Sequence, residues 1–500
     1  MSTAPKKQLT LFDSTCLIMG IIIGAGIFRS AGDIPGLMPN WWSVLILWAI
    51  GGVISLFGAL AYAELATAYP HQGGDYVYLG RAYGRWSGFL FGWVQLSVVR
   101  PGDIAVMAFA FATYARTLFD PFFPTASLLA DAGHVTATWV QFGGLPCVCG
   151  PGAILQPIVA SPAMGEMSAW QGSPYCEIVY ACAATLVFTA INILGVTQGK
   201  WTQNLLTLAK VLGLGGIVLV AVLASPAAST ESAAPAREFS LPSASLALIF
   251  VLFTFGGWNE MAYVAAEVKN PHRNIWRALI LGTVTVTVVY LLVNSAYLRV
   301  LGFDGMAKSD AVATATVSAV FPKYATVLIS VLVCVSALGA VNGLVFTGAR
   351  ISYAVGSENR AFRWLGQWNS RTGTPVPALL VQGIITLILV VTLGSFEKGV
   401  IYTASAVYTF YLFTSLAVIV LRDKEPQVDR PFRLRAYPLY PLTTFIFGGV
   451  CVFLIYSAVV YKPVIAAIAL GIALAGLPIY WITMPWRVKG VAADAQTTAE

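Results

Sequence analysis

Charge is what this chain has least of. Of its 500 residues, 29 are Lys or Arg and 22 are Asp or Glu, 10% together, against 58% hydrophobic and a mean hydropathy of +0.76. A soluble domain carries about 25% charged residues. This chain therefore cannot cover a water-facing surface and must present most of its area to lipid. Alternation is missing too. Strands of a membrane barrel read as alternating segments of roughly 10 residues, whereas the apolar runs here are about 20 residues long and do not alternate, as in VLGLGGIVLVAVLA from Val211. That excludes a barrel and leaves helices, which satisfy their own backbone in hydrocarbon. Catalytic groups are scarce. The three histidines, His71, His134 and His272, fall in expected loops. No H-E-x-x-H, G-x-S-x-G or metal-spaced carboxylate set occurs, so no enzyme, catalytic residue, cofactor or metal site is expected.

Cysteine is sparse as well. Most of the seven lie in apolar helices, where a thiol behaves as a small hydrophobe. Cys147, Cys149 and Cys176 share one long loop. An extracytoplasmic loop would let them pair as a disulfide, and the lack of paired C-x-x-C elements speaks against zinc.

About twelve hydrophobic segments are present, over 10–38, 43–69, 86–118, 177–195, 201–224, 243–269, 276–301, 323–356, 377–394, 398–421, 440–461 and 463–484. The N-terminus lacks a short apolar core with a cleavage site, so the first segment reads as a retained helix. From Thr117 to Gly199 there is no Lys or Arg, which places the loop over 119–176 outside, while alternate loops are basic. With an even number of spans both termini, including the 485–500 tail, are cytoplasmic. The net charge of +7 is then a topology signal. A nucleic-acid footprint would need a basic face on a folded soluble domain, and none is expected.

Two of the helices read as broken. The first carries IMGIIIGAGIFRSAGDIPG, with Gly20, Gly24, Gly26 and Gly32. The sixth carries LIFVLFTFGGWNEMAYVAAEVKNP, where Gly256 and Gly257 precede Trp258, Asn259 and Glu260. Glycine inside a helix costs about 1 kcal/mol relative to alanine, and breaks at membrane depth are tolerated where the freed backbone lines a cavity. The breaks lie five helices apart, the spacing of corresponding helices in two inverted repeats. Bare amides at Gly24, Ala25 and Gly26, at the positive end of a half-helix, suit a carboxylate. Bare carbonyls at Ile22, Phe253 and Gly256 suit an ammonium. A zwitterionic amino acid fits both. Close packing is the competing reason for glycine in a membrane helix.

These residues resemble a known family. IIGAGIF and FTFGGWNE are similar to the amino acid–polyamine–organocation superfamily, and most nearly to its L-type amino acid transporter family. VVRPGD at Val98–Asp103, AINILGVTQGKWTQNLLTLAK, EVKNPHRNI, ALGAVNGLVFTGAR, TGTPVPALL and DRPFRLRAYPLYP match in kind. The resemblance covers most of the chain, with the external loop and the last dozen residues outside it. It implies an all-α polytopic fold of about 12 transmembrane helices, a LeuT-type 5+5 inverted repeat with broken helices 1 and 6. One transporter domain then spans 1–484, with repeats at about 10–224 and 243–421 and helices 11–12 at about 440–484. It implies sodium-independent, alternating-access exchange of amino acids in the cell membrane, with proton-coupled symport and a non-transporting sensor or channel as alternatives. Substrate-contacting positions fall on Ile22, Gly24, Ala25, Gly26, Phe253, Gly256 and Asn259, with Phe253 as a gating aromatic. Because the external loop departs from the family pattern, no heavy subunit is expected.

Charges buried in lipid are costly and usually functional. Lys210 sits mid-helix in LLTLAKVLGLGG. By resemblance its amine stands where other members hold sodium and donates to carbonyls of broken helix 1. A buried lysine can also exchange its proton, so proton coupling stays open. Arg100 and Asp103 lie one turn apart and read as a pair. Glu260 reads as a proton site, a gate contact or a vestibule group, and as the one obvious counter-charge for a substrate side chain. That leans the substrate toward neutral amino acids. Tyr402, Tyr408, Phe410 and Tyr411 offer aromatic walls, and Trp258 reads as packing.

Overall fold

The computed structural model describes residues 7–119, 174–225, 238–309, 311–394, 396–434, 439–461 and 463–483. Cys147, Cys149, most of the external loop and the 485–500 tail lie outside the described residues. The described chain is helical throughout, apart from turns and two isolated bridges. Among the described residues, ten helices are long and apolar enough to cross a membrane, and an eleventh span is a pair bent by 47°, Leu11–Ile22 (α1) with Gly26–Leu37 (α2). The single-helix and composite spans are Trp41–Ala68 (α3), Arg85–Leu118 (α5, Arg85–Val94, and α6, Arg100–Leu118), Pro174–Leu194 (α7), Val196–Leu223 (α8), Leu241–Thr254 (α9) with a 3₁₀ stretch Trp258–Glu267, Pro271–Ala307 (α10), Ala325–Glu358 (α12), Val376–Leu393 (α13), Phe396–Lys424 (α14) and Leu439–Tyr461 (α15). Pro463–Thr483 (α16) adds a shorter apolar stretch at the twelfth expected segment. Two short helices, Asp75–Tyr83 (α4) and Val312–Ser318 (α11), lie between spans.

The faces of α8 show what solvent the fold is built for. Leu205, Leu208, Leu212 and Leu219 point outward and are more than half exposed, while Gln203, Asn204, Thr207 and Lys210 are buried. Apolar residues outside and polar ones within is the reverse of a soluble helix, and it satisfies a bundle whose exterior is hydrocarbon. The chain is a multi-pass membrane protein.

Local chemistry explains the helix breaks. Thr10 and Asp13 form a reciprocal capping box that fixes the start of α1. At its other end Ile23 leaves helical geometry, the Gly24 amide turns back onto the Ile22 carbonyl at 2.8 Å, and α2 restarts at Gly26. In the sixth span Gly257 adopts φ +103, and a side chain there would also collide with Ile21. Only glycine meets both demands. A third irregularity is the π turn Gln95–Val99 between α5 and α6. Pro101 has no amide to continue an α-helical ladder, and the wide turn absorbs that loss just before Arg100.

Candidate functional site

The two breaks meet. The Tyr290 hydroxyl reaches the Ile22 carbonyl at 3.0 Å and the Thr254 carbonyl at 3.3 Å, tying the end of α1 to the end of α9. A Cβ at Gly26 would lie 3.0 Å from Thr254 Oγ1 and 3.3 Å from its Cα, and one at Gly257 would lie 2.6 Å from Ile21 Cγ2. The glycines therefore do two things, breaking the helices and letting the broken ends approach to backbone contact.

A cavity of about 130 Å³ opens at this junction. Of the residues marked by the sequence, Ile22, Gly24, Gly26, Phe253, Gly256 and Glu260 line it. Ala25 caps α2. The first amides of α2, at Gly26 and Ile27, have no preceding turn to accept them, and the dipole of a 12-residue helix stands behind them. Two marked groups are already engaged in the chain itself. The Ile22 carbonyl accepts from both Gly24 N–H and Tyr290, and Phe253 carbonyl accepts from Gly256 N–H at 3.0 Å. Asn259 sits behind the wall: Tyr411 donates to its Oδ1 and its Nδ2 donates to Tyr263, each at 2.7 Å.

Lys210 is fully buried, and its three N–H groups go to the carbonyls of Gly20 (2.7 Å), Ile23 (2.7 Å) and Ser336 (2.9 Å). Gly20 and Ile23 sit at the C-terminal end of α1, where carbonyls have lost their helical partners and the dipole is negative. The ammonium meets that need with complete hydrogen-bond satisfaction, and Ser336 on α12 adds its hydroxyl to the Ile23 and Gly24 carbonyls at 2.9 and 3.0 Å. An ammonium and a hydroxyl thus fasten the broken first helix to α12.

Arg100 does not take Asp103 as its ion-pair partner. It is 3% exposed, with Nη1 2.8 Å from the Glu260 carboxylate, Nε donating to Gln95 at 2.9 Å, and its guanidinium over the Tyr263 ring. Glu260 also accepts from Thr347 at 2.7 Å. One helical turn was sufficient spacing for an Arg100–Asp103 pair. The π turn and the break in the sixth span instead bring Glu260 to the arginine from a residue 160 positions away. Asp103 lines the cavity, partly accessible, beside the Thr403 hydroxyl. Tyr408 and Tyr411 also line it, and so does Trp258, whose indole packs against Tyr62, Tyr411 and Phe447.

The end of the bundle that carries the N-terminus is closed by groups the sequence did not single out. The amides of Gln8 and Leu9 donate to the Glu267 carbonyl, and Lys269 N–H returns to Leu9. The Glu267 side chain is held by Arg350 at 2.8 Å and Gln72 at 3.1 Å, all buried. Arg422 pairs with buried Glu64 at 2.7 Å. Asp75, at the start of α4, accepts from Tyr263 at 2.7 Å, with the hydroxyls of Tyr62 and Thr414 facing the same carboxyl. Tyr411, Asn259, Tyr263 and Asp75 form one hydrogen-bonded line from the cavity wall to this end. Burial raises the Asp75 carboxyl to about 6, against the pull of those hydroxyls and the more distant Arg100. A raised folded value means that Asp75 costs stability as pH climbs from about 4 through 6, because the charged form is the disfavoured one. Asp75→Asn keeps an acceptor for Tyr263 and removes that cost. Its thermal midpoint in detergent is expected to exceed the parent's at pH 8, by the equivalent of up to about 3 kcal/mol, and to converge with it toward pH 4. A midpoint difference independent of pH would refute the assignment.

Comparison with known proteins gives this arrangement a context. A family model described as amino acid permease matches residues 9–484. The b(0,+)-type amino acid transporter 1 of Oryctolagus cuniculus is 30% identical over 437 residues, 87% of this chain and 80% of that protein. Its counterpart in Mus musculus is 29% identical over 467 residues, covering 92% and 84%. The large neutral amino acids transporter small subunit 2 of Rattus norvegicus is 30% identical over 495 residues, covering 97% and 82%. That last name corrects one expectation. No heavy subunit was expected, yet a relative matched over 97% of this chain is named a small subunit, one part of a larger assembly. The expectation rested on the divergent external loop. Loops diverge readily and say little about the helix faces a partner would cover.

Proposed function

We propose that this chain, which belongs to the amino acid permease family, is a sodium-independent exchanger of amino acids working by alternating access in the cell membrane. One observation carries the reading: two helices broken at glycine meet, through Tyr290, around a single cavity. The amides opening α2 at Gly26 and Ile27 receive the substrate carboxylate. The carbonyls of Ile22, Phe253 and Gly256 receive its ammonium, using lone pairs that substrate shares with, or takes from, the turns now bonding them. Phe253 closes over the substrate, and Asn259 sets the rotation of Tyr411 and Tyr263 behind it.

Lys210 supports sodium independence, since a fixed ammonium already fills the carbonyl cage of α1. Glu260 gains a structural meaning. Its charge is cancelled by Arg100, so Glu260 offers no free counter-charge to a substrate side chain. By this reading the breaks are corresponding points of two inverted five-helix repeats among about twelve spans. The closed end holding Gln8, Leu9 and Glu267 is the cytoplasmic gate, and both termini are cytoplasmic.

Proteoliposomes test the reading. Labelled amino acid is expected to enter only when unlabelled amino acid is inside, at the same rate with sodium or choline outside. Uptake driven by a pH gradient alone would replace exchange by proton symport. Saturable binding with no flux would replace transport by sensing.

A further inference from the structure

The cavity holds a second carboxylate that the pairing of Arg100 with Glu260 does not use. Asp103 lies on α6 facing the cavity, with Thr403 across from it on α14. Arg100 donates from Nε to Gln95 and from Nη1 to Glu260 and acts on Asp103 only through space, so the side chain that hydrogen-bonds Asp103 is the neutral Thr403 hydroxyl. A carboxylate in so apolar a setting is costly unless a cation or several donors reach it. Its position relative to the helix breaks is fixed by Met107, one turn further along α6, whose sulfur lies 3.1 Å from where a Gly24 side chain would begin. Asp103 therefore stands one turn of α6, roughly 6 Å along its axis, from the point at which α6 faces the backbone proposed to hold the main chain of the substrate. Val106, Leu344 and Val407 line the intervening wall.

We infer that Asp103 is the specificity-determining residue of this cavity and that it selects amino acids whose side chain ends in an ammonium or guanidinium on a three- or four-carbon stem. This deepens the exchange reading above and rests on it. The stem lies along the apolar wall, as such stems do on protein surfaces, and the cation meets the Asp103 carboxylate with Thr403 beside it. The neutral side chains favoured from sequence become the weaker cargo. That expectation counted Glu260 as the only counter-charge. Glu260 is neutralised by an arginine it meets only in the folded chain, while Asp103, taken there as the partner of that arginine, is left facing the cavity.

The test is competition between lysine and norleucine, which share stem and main chain and differ by the terminal ammonium. In counterflow, the parent is expected to show a kcat/KM at least tenfold higher for lysine, the smallest effect expected from one partner of a desolvated charge pair. Asp103→Asn is expected to reduce that ratio at least tenfold, and Asp103→Glu to retain most of it, because the charge and not the volume is what counts. A parent that carries norleucine as well as lysine overturns the assignment, even if the variants fail to fold. An unchanged ratio in Asp103→Asn does the same. Either result leaves amino acid exchange standing. Absence of counterflow with any amino acid overturns the exchange reading and this one together.

Discussion

Lys210→Ala is expected to lower exchange at least tenfold while sodium fails to restore it. The lysine is the point at which α1, α8 and α12 meet at one nitrogen, with carbonyls of Gly20, Ile23 and Ser336 all within 2.9 Å. Hydrogen bonds to a charged donor contribute about 1.5–3 kcal/mol each, and a buried acceptor left bare costs about 1–3 kcal/mol. Alanine withdraws the ammonium from the Gly20 and Ile23 carbonyls at the end of a half-helix, where Ile23 alone keeps a donor in the Ser336 hydroxyl, and from the Ser336 carbonyl of α12. Alternating access needs the first half-helix to occupy defined positions relative to α12. Even one lost bond of roughly 1.5 kcal/mol shifts such a balance about tenfold. Counterflow in proteoliposomes of equal protein content reads the effect, and thermal midpoint in detergent reads the loss of fastening. Parental kinetics in the alanine variant would reduce Lys210 to packing and remove the argument for sodium independence.

Gly26→Val is expected to abolish exchange with the protein still present in the membrane. The first α2 amides lose access to the cavity beneath two methyl groups, and the new Cβ begins 3.0 Å from Thr254 Oγ1 and 3.3 Å from Thr254 Cα. Overpacking of this kind costs about 1–3 kcal/mol. That is enough to separate α2 from α9 locally, yet small against the burial of a complete bundle. Gly26→Ala, with one methyl group, is expected to fall between. Surface labelling and counterflow on the same preparations separate the two effects. A valine variant that exchanges normally would show that the amides of α2 do not hold the substrate.

The order of legibility follows the range of the interactions. The helical class, the membrane setting and the two breaks were legible because they depend on composition and on residues within one or two turns. A glycine pair beside Asn259 and Glu260 weakens a helix wherever that helix packs. The expected placement of Lys210 against α1 came from the resemblance. Residue type and spacing alone gave only a lysine too deep to snorkel. The reading failed where charge pairing had to be guessed. Arg100 and Asp103 are one turn apart in the sequence, and nothing local shows that a π turn at Gln95–Val99 and a left-handed Gly257 deliver Glu260 to the arginine instead. Glu267, Arg350, Gln72 and Asp75, which close the end of the bundle near Gln8, went unmarked for the same reason. Their partners are distant in the chain and each alone resembles an ordinary loop or helix-end polar group.

By itself, then, the sequence determined that this chain lies in a membrane as a bundle of helices and that two of those helices are interrupted, since hydropathy and glycine act through solvent and backbone alone. Only the tertiary structure decided which polar group each buried charge meets. Pairing in a low-dielectric interior depends on distances of a few ångströms between helices far apart in sequence, and those distances exist only once the helices have packed. The same packing decided that Glu260, and not Asp103, pairs with Arg100, which leaves Asp103 lining the cavity.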